Sequence, residues 1–352
     1  MACSKSITRG FHTRIPPCSQ FQVFDRSIKL KQRARAASDP ESSKVEYLRD
    51  EIARRSIERL SFIDKKFVNF MDFGSNSGNF VKTLCHDDVR DSEQLKDDKR
   101  VVKERLQSLL MVDSCKEMLF RYSDEELLQG SKDFALSRKV VDEELFNDPA
   151  IAEENKFEGI ISNLSLHWIN DLPRILQSIH KSLKPDGMFM GTMFGGDTLF
   201  ELRTALQLAE LERKGGISPR VSPFVGSSDV GNLMQRAKFN LLTVDVEEIV
   251  VAYPDMWSMM RDLQLMGESN SILQMPTMLD RDMLLAAEPI YRAMHGDEKD
   301  GSLPATFRLV FMIGWKPSPN QPKPLKRGTQ DFSLKDAWGD GVLGTSKLIE
   351  DK

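Results

Sequence analysis

Apolar positions recur along this chain at two spacings, and the alternation between them is the first structural signal. Residues 45–60 (VEYLRDEIARRSIERL) put Val45, Leu48, Ile52, Ala53, Ile57 and Leu60 on one side of a helix and charges on the other. Residues 67–73 (FVNFMDF) form a short apolar run that ends at Gly74, the mark of a buried strand leading into a turn. Strand patterns return at 109–112, 157–164 and 188–194, separated by helical patterns at 114–129 and 172–183. Strands alternating with helices predict an α/β fold, a parallel sheet with crossover helices on both faces. Beyond Phe194 the order changes to helices at 198–213 and 230–237, a strand at 241–252, Met-rich helices at 255–266 and 277–294, and a last strand at 307–315. Met259, Met260, Met278 and Met283 read as core fillers, not as a ligand site. Residues 86–108 carry 13 charges in 23 positions and predict a surface insertion, and the prolines at 317, 319, 322 and 324 open a flexible tail, 317–352.

Composition narrows the class. With 352 residues, 40% hydrophobic and 29% charged, the chain can bury a sizeable core. Cys3, Cys18, Cys85 and Cys115 are too scattered for a disulfide scaffold or a structural zinc site. No apolar run reaches the roughly 20 residues of a membrane span. Residues 1–38 hold eight Lys or Arg against Asp25 alone, a net of +7, so the overall −4 leaves −11 on the remainder. So acidic a body excludes nucleic acid as a partner. Lys5, Arg9 and Arg14 lie among Ser and Thr with no acid before Asp25, which predicts a mitochondrial transit peptide over residues 1–24 and a folded domain over 25–316.

The chemistry concentrates after the strands. Asp72-x-Gly74-x-x-x-Gly78 follows the first strand, where glycine lets a nucleoside-bearing ligand approach the backbone. A dinucleotide site wants a glycine where Asn76 stands, so the spacing suits S-adenosylmethionine better. Asp72 is then expected to accept from the amino group of the methionine moiety, Asp113 from both ribose hydroxyls and Asp142 from the adenine amine, with Asn163 completing the set. His167-Trp168 lies on the sheet edge where open α/β sheets bind ligands. Trp168 either stacks on a guanidinium or adenine or packs the sheet edge, and His167 is a candidate base. An arginine substrate would want carboxylates such as Asp197 or Glu268, although Asp197 also suits a helix cap. His86-Asp87-Asp88 and His295-Gly296-Asp297 fit a metal HxD pattern but lie in charged turns, and no metal site is predicted.

Several longer runs resemble the mitochondrial complex I assembly factor 5 family: Asn163-Leu-Ser-Leu-His-Trp-Ile-Asn-Asp-Leu-Pro173, Leu183-Lys-Pro-Asp-Gly187, Met193-Phe-Gly-Gly-Asp-Thr-Leu-Phe-Glu-Leu-Arg203, Gly216-Ile-Ser-Pro219, Met266-Gly-Glu-Ser-Asn270 and Ile313-Gly-Trp315. The likeness extends to Phe24-Asp-Arg26 with Lys29, Lys31 and Gln32, and covers most of 22–316. It implies a class I S-adenosylmethionine methyltransferase fold with a seven-stranded sheet, and a protein-arginine hydroxylase. It further implies a place in the mitochondrial matrix or on the matrix face of the inner membrane. The implied partners are complex I assembly intermediates and the iron–sulfur subunit whose arginine is modified, met by residues 195–303. Hydroxylation needs oxygen activated by iron or another cofactor, for which the sequence offers no two-His, one-carboxylate triad. Asn76 in place of a middle glycine and the charged stretch after Cys85 depart from the family pattern. Two other readings stay open: a methyltransferase of the malonyl-carrier type, acting on a protein or a carboxylate, and a non-catalytic assembly chaperone.

Overall fold

A computed structural model describes residues 22–89, 91–273 and 279–322. The chain begins with α1 (Arg26–Ser38) and α2 (Tyr47–Ser61), then runs through β1 (Phe70–Phe73), α3 (Asn79–Cys85), α4 (Glu93–Arg105) and β2 (Ser108–Asp113). Next come α5 (Lys116–Leu119), α6 (Asp124–Leu128), β3 (Ala135–Val140), α7 (Pro149–Ala152), β4 (Phe157–Asn163), α8 (Leu172–Ser182) and β5 (Leu183–Phe194). The remainder is α9 (Phe200–Lys214), α10 (Ser227–Arg236), β6 (Asn240–Tyr253), α11 (Met256–Leu265), α12 (Arg281–His295) and β7 (Leu303–Trp315). The sheet order is β3-β2-β1-β4-β5-β7-β6, with β1 to β5 parallel and β7 antiparallel to both neighbours. This is the expected class I methyltransferase arrangement.

Three apolar clusters hold it. On one face Ile57 and Leu60 of α2, Phe80 and Leu84 of α3 and Val102 of α4 close over Leu109, Met111 and Ile161. On the other, Ile175 and Ile179 of α8 and Met234 of α10 cover Phe73, Val112 and Phe189. Central strands read as continuous apolar runs because both faces are covered. The third cluster joins α9, α11 and α12 through Leu206, Met259, Met283 and Tyr291 to the first half of β7. Met259 and Met283 are core, as expected; Met278 lies outside the described residues, as do residues 1–21 of the expected transit peptide and 323–352 of the expected tail.

Several elements differ from the sequence reading. The charged stretch 86–108, expected as a surface insertion, carries α4, because a helix needs only one apolar stripe to dock. Leu95 and Val102 supply it against α2, while buried Lys99 is neutralised by Asp91 at 2.5 Å. The helix expected over 114–129 splits into α5 and α6, because Ser123 and Glu126 form a capping box that restarts the helix. β3 and α1 carry no apolar periodicity and escape notice in the sequence. Among the described residues, no helix is long and apolar enough to cross a membrane.

Candidate functional site

The turn after β1 sits at the carboxyl ends of the parallel strands, where Asp72 faces Met111 and Ile161 across the ladder. Gly74, Asn76 and Gly78 all have positive φ, at 72°, 55° and 85°. A Cβ on Gly74 would lie 2.1 Å from Ser165 Oγ, so glycine is required there by space as well as by conformation. Asn76, standing where the sequence pattern wanted glycine, adopts the left-handed region that asparagine tolerates best. Its N–H donates to Asp113 Oδ2 at 2.9 Å.

Asp72 is buried with Oδ2 lacking a hydrogen-bond partner, and burial, reinforced by the charge of Asp113, pushes its pKa up to about 8. Ser75 Oγ and Asn163 Nδ2 are also buried and unpartnered. All three residues line one small void beside Gly74 and Asn76, with Arg49 at its wall. Three orphaned polar groups at one turn form a cradle for a ligand that is both cationic and hydrogen-bonding, since such groups are otherwise costly.

Asp113 is placed where the ribose acid was expected but is already engaged. Arg33 of α1 donates to its Oδ2 at 2.7 Å and to Asn76 Oδ1 at 3.0 Å. Burial opposes the Arg33 charge, but Asp113 overcomes it and holds the guanidinium firmly protonated. Asp142, expected at the adenine, is half-exposed and pairs with Arg26 at 3.1 Å. Its neighbour Glu143 lines the cleft instead, accepting from Arg26 at 2.8 Å and from the Ser114 N–H at 2.9 Å. The sequence reading missed Arg33, Arg49 and Glu143 and named Lys29 only within the family likeness. Arg49 was detectable: at helical spacing it shares a face with Ile52 and Ala53.

His167, Trp168 and Glu268 come together from distant parts of the chain. Glu268 Oε2 accepts from Trp168 Nε1 at 2.8 Å and from His167 Nε2 at 3.2 Å, and Oε1 accepts from Arg49 at 2.5 Å. Burial works against the Glu268 charge, but the His167 hydrogen bond and Arg49 hold its carboxyl well below the usual range. Burial lowers the His167 pKa despite Glu268, so the ring is neutral at physiological pH. Its Nε2–H points to the carboxylate, which leaves Nδ1, buried and unpartnered, as the free lone pair. Trp168 packs edge-on against Phe24, and Lys29 Nζ lies 3.3 Å from its ring centroid. Burial pushes that amine down to about 7, although Glu268 pulls the other way.

Asp197 is not part of this group. It is exposed and pairs with Arg308. The two HxD histidines are engaged elsewhere, His86 with Glu126 O and Gln129, His295 with Thr204. Among the described residues no three His, Cys, Asp or Glu are grouped to hold a metal ion.

A family model described as a methyltransferase domain matches residues 45–244. The chain is 42% identical over 321 residues to the mitochondrial arginine-hydroxylase NDUFAF5 of Danio rerio, covering 91% of each. It is 42% identical over 312 residues to the Homo sapiens protein of that name, covering 89% of this chain and 82% of the relative. A malonyl-[acyl-carrier protein] O-methyltransferase of Methylovorus sp. is 34% identical over 157 residues, 44% of this chain and 50% of the relative.

Proposed function

Because the chain belongs to the arginine-hydroxylase NDUFAF5 family, we propose that it hydroxylates an arginine of the iron–sulfur subunit of respiratory complex I while that complex is assembled. The place proposed is the mitochondrial matrix or the matrix face of the inner membrane; the relatives' names say mitochondrial, and the basic N-terminus suits import. The observation that carries the reading is where the family-like motifs meet. Lys29 donates to Gly267 O and Ser269 O, Gln32 to Asn270 O, and Asn270 to Pro219 O, so three separate motifs close around Glu268 and His167-Trp168.

S-adenosylmethionine is the proposed cofactor, and when bound it supplies an electrophilic sulfonium. The residues fit it. Asp72 would take the ammonium, Ser75 and Asn163 the carboxylate end, the Gly74–Gly78 turn with Asn76 the backbone approach, and Asp113 the ribose once Arg33 yields it. Glu268, fixed as an anion, orients His167 and Trp168. His167 Nδ1, a free lone pair, is the proposed acceptor of a hydrogen bond from a substrate guanidinium, and Trp168 offers it the stacking face that Lys29 now covers. Segment 195–303, which supplies Glu268 and most of the third core, is the proposed partner-facing part.

The test is mass spectrometry of the iron–sulfur subunit from cells lacking this protein, rescued with wild type or Asp72→Ala. Rescue of a mass increment of about 16 Da on one arginine by wild type alone supports the reading. An increment of about 14 Da would favour the second reading, methyl transfer, for which the matched methyltransferase domain and the malonyl-carrier relative speak. An unchanged subunit whose assembly still depends on the protein would make it a chaperone.

A further inference from the structure

The Lys29 side chain, only 5% exposed, ends in a cage suited to a cation. Its Nζ donates to Gly267 O at 3.1 Å and to Ser269 O at 2.5 Å, and it lies 3.3 Å from the centroid of the Trp168 ring. Glu268, between those two carbonyls in the chain, adds a carboxylate held by Arg49, Trp168 and His167. Leu30, part-exposed, and Leu164, buried, line the same cleft and give it an apolar side.

An amine fits this place poorly. Burial, reinforced by the charges of Arg33 and Arg49, drives its pKa down to about 7, although Glu268 pulls the other way. The cage therefore surrounds its present occupant with acceptors for a charge that the amine half gives up near neutral pH. A guanidinium suits it better. It keeps its charge when buried, is less strongly hydrated than an ammonium, stacks its plane on an indole and reaches two acceptors with one edge. The neighbouring cations each have a carboxylate of their own: Arg26 has Glu143, Arg33 has Asp113 and Arg49 has Glu268. Exchanging one cation for another on Trp168 leaves that balance as it stands.

We propose that the cage of Trp168, Gly267 O and Ser269 O is where the substrate's arginine side chain docks, and that Lys29 fills it until the substrate arrives. Lys29 then sets specificity, because an incoming group must outbid a resident cation for the ring and both carbonyls. The docked guanidinium lies beside His167, whose ring centroid is 5.2 Å from that of Trp168, and its stem runs along Leu30 and Leu164. The inference rests on the reading that the substrate is an arginine side chain. It concerns binding alone and holds whether that side chain is then hydroxylated or methylated.

The experiment is calorimetric titration of the full chain with acetyl-Ala-Arg-Ala-amide and with its citrulline counterpart, which has nearly the same shape and no charge. At about pH 6 the Lys29 amine is protonated, so wild type and Lys29→Arg carry equal charge and differ in what fills the cage. Wild type should prefer the arginine peptide by about tenfold or more. Lys29→Met empties the cage and should bind that peptide about tenfold more tightly, whereas Lys29→Arg should bind it about tenfold more weakly. A displaced Lys29 regains the ordinary amine value of 10.5, so at about pH 9 wild type should take up close to one proton per arginine peptide bound, and Lys29→Met none. Glu268, Arg33, Arg49 and His167, the groups that face the amine, do not titrate there. Equal affinity for the two peptides in wild type, no gain in Lys29→Met, no loss in Lys29→Arg, or no proton uptake by wild type would each overturn the proposal. Proton uptake is read on the unaltered chain, so the proposal stays testable even where a variant fails to fold. The mass increment on the iron–sulfur subunit tests the reaction separately.

Discussion

At Asp72 the carboxyl lies inside the sheet with one oxygen unmet and a pKa pushed up to about 8, first by burial and then by Asp113. An unfolded chain gives up this proton near the ordinary 3.8, so between 3.8 and about 8 the folded protein binds more protons and stability falls as pH rises. Asp72→Asn removes that term, and its melting temperature should change less than wild type's between about pH 5 and about pH 8. The same carboxyl makes ligand binding pH-dependent in the opposite sense. An ammonium rewards the ionised form, so S-adenosylmethionine should release a proton on binding and bind up to about tenfold more tightly per pH unit approaching 8. Titrations in buffers of different ionisation heat measure that proton, and Asp72→Asn should show neither effect while losing roughly tenfold or more in affinity. Glu268 has the other sign. Its lowered pKa contributes stability that is complete above the ordinary 4.5 and is lost as pH falls through that value and below. Glu268→Ala would strand Arg49 as a buried unpaired cation and should cost about 3–5 kcal/mol in denaturant unfolding at neutral pH.

Helix α1 lies over the proposed nucleoside end of the site. Asp25 caps it through Ser27 N–H and Ile28 N–H, Arg26 ties it to Glu143, and Lys29 and Gln32 tie it to the 267–270 turn. Of the α1 side chains, Arg33 reaches Asp113, the proposed ribose acid. A charge-assisted hydrogen bond must therefore be surrendered when a cofactor ribose arrives, at a cost of about 1.5–3 kcal/mol. Arg33→Ala should bind S-adenosylmethionine at least about tenfold more tightly than wild type by equilibrium titration. Weaker binding would instead make Arg33 a contact of the cofactor. No apolar periodicity announces α1, because its inward face is Lys29 and Arg33 where an apolar stripe would normally stand; only the family likeness marks the segment. By contrast β1, β4, β5 and β7 are legible because strands covered on both faces must be apolar throughout, and α8 and α9 because each buries one stripe. The edge strand β3, largely exposed, needs no such pattern and gives none. The site divides in the same way. Asp72, Gly74 and Gly78 can be read from a strand–turn–helix transition and Arg49 from its helical spacing, whereas Arg33 and Glu143 depend on partners 80 and 29 residues away.

Around the mixed seven-stranded sheet and its two covering layers, the third core of α9, α11 and α12 packs on α2 and β7 through Leu48, Ile52, Phe307 and Phe311 and is tied down further by hydrogen bonds. One fastening is Asn270. Its Nδ2 donates to Pro219 O at 2.8 Å and Arg220 O at 3.0 Å, while Oδ1 accepts from Ser222 Oγ at 3.1 Å and from the Ile272 N–H at 3.1 Å. The segment 219–222 thereby holds its shape, and with it Arg220, which donates to Glu210. Removing the amide leaves two carbonyls, a hydroxyl and the Ile272 N–H without these partners, and regions held by few contacts open below the global unfolding free energy. Asn270→Ala should therefore raise amide exchange in 216–224 and around α11 by about tenfold or more, while β1, β4 and β5 exchange as in wild type. Exchange that rises equally in β4 and β5 would mean that the sheet and the third core unfold as one unit. Exchange confined to 216–224 and α11 would mean that the part of the chain bearing Glu268 and Arg220 can loosen on its own, giving a protein substrate access to His167 without disturbing the cofactor turn.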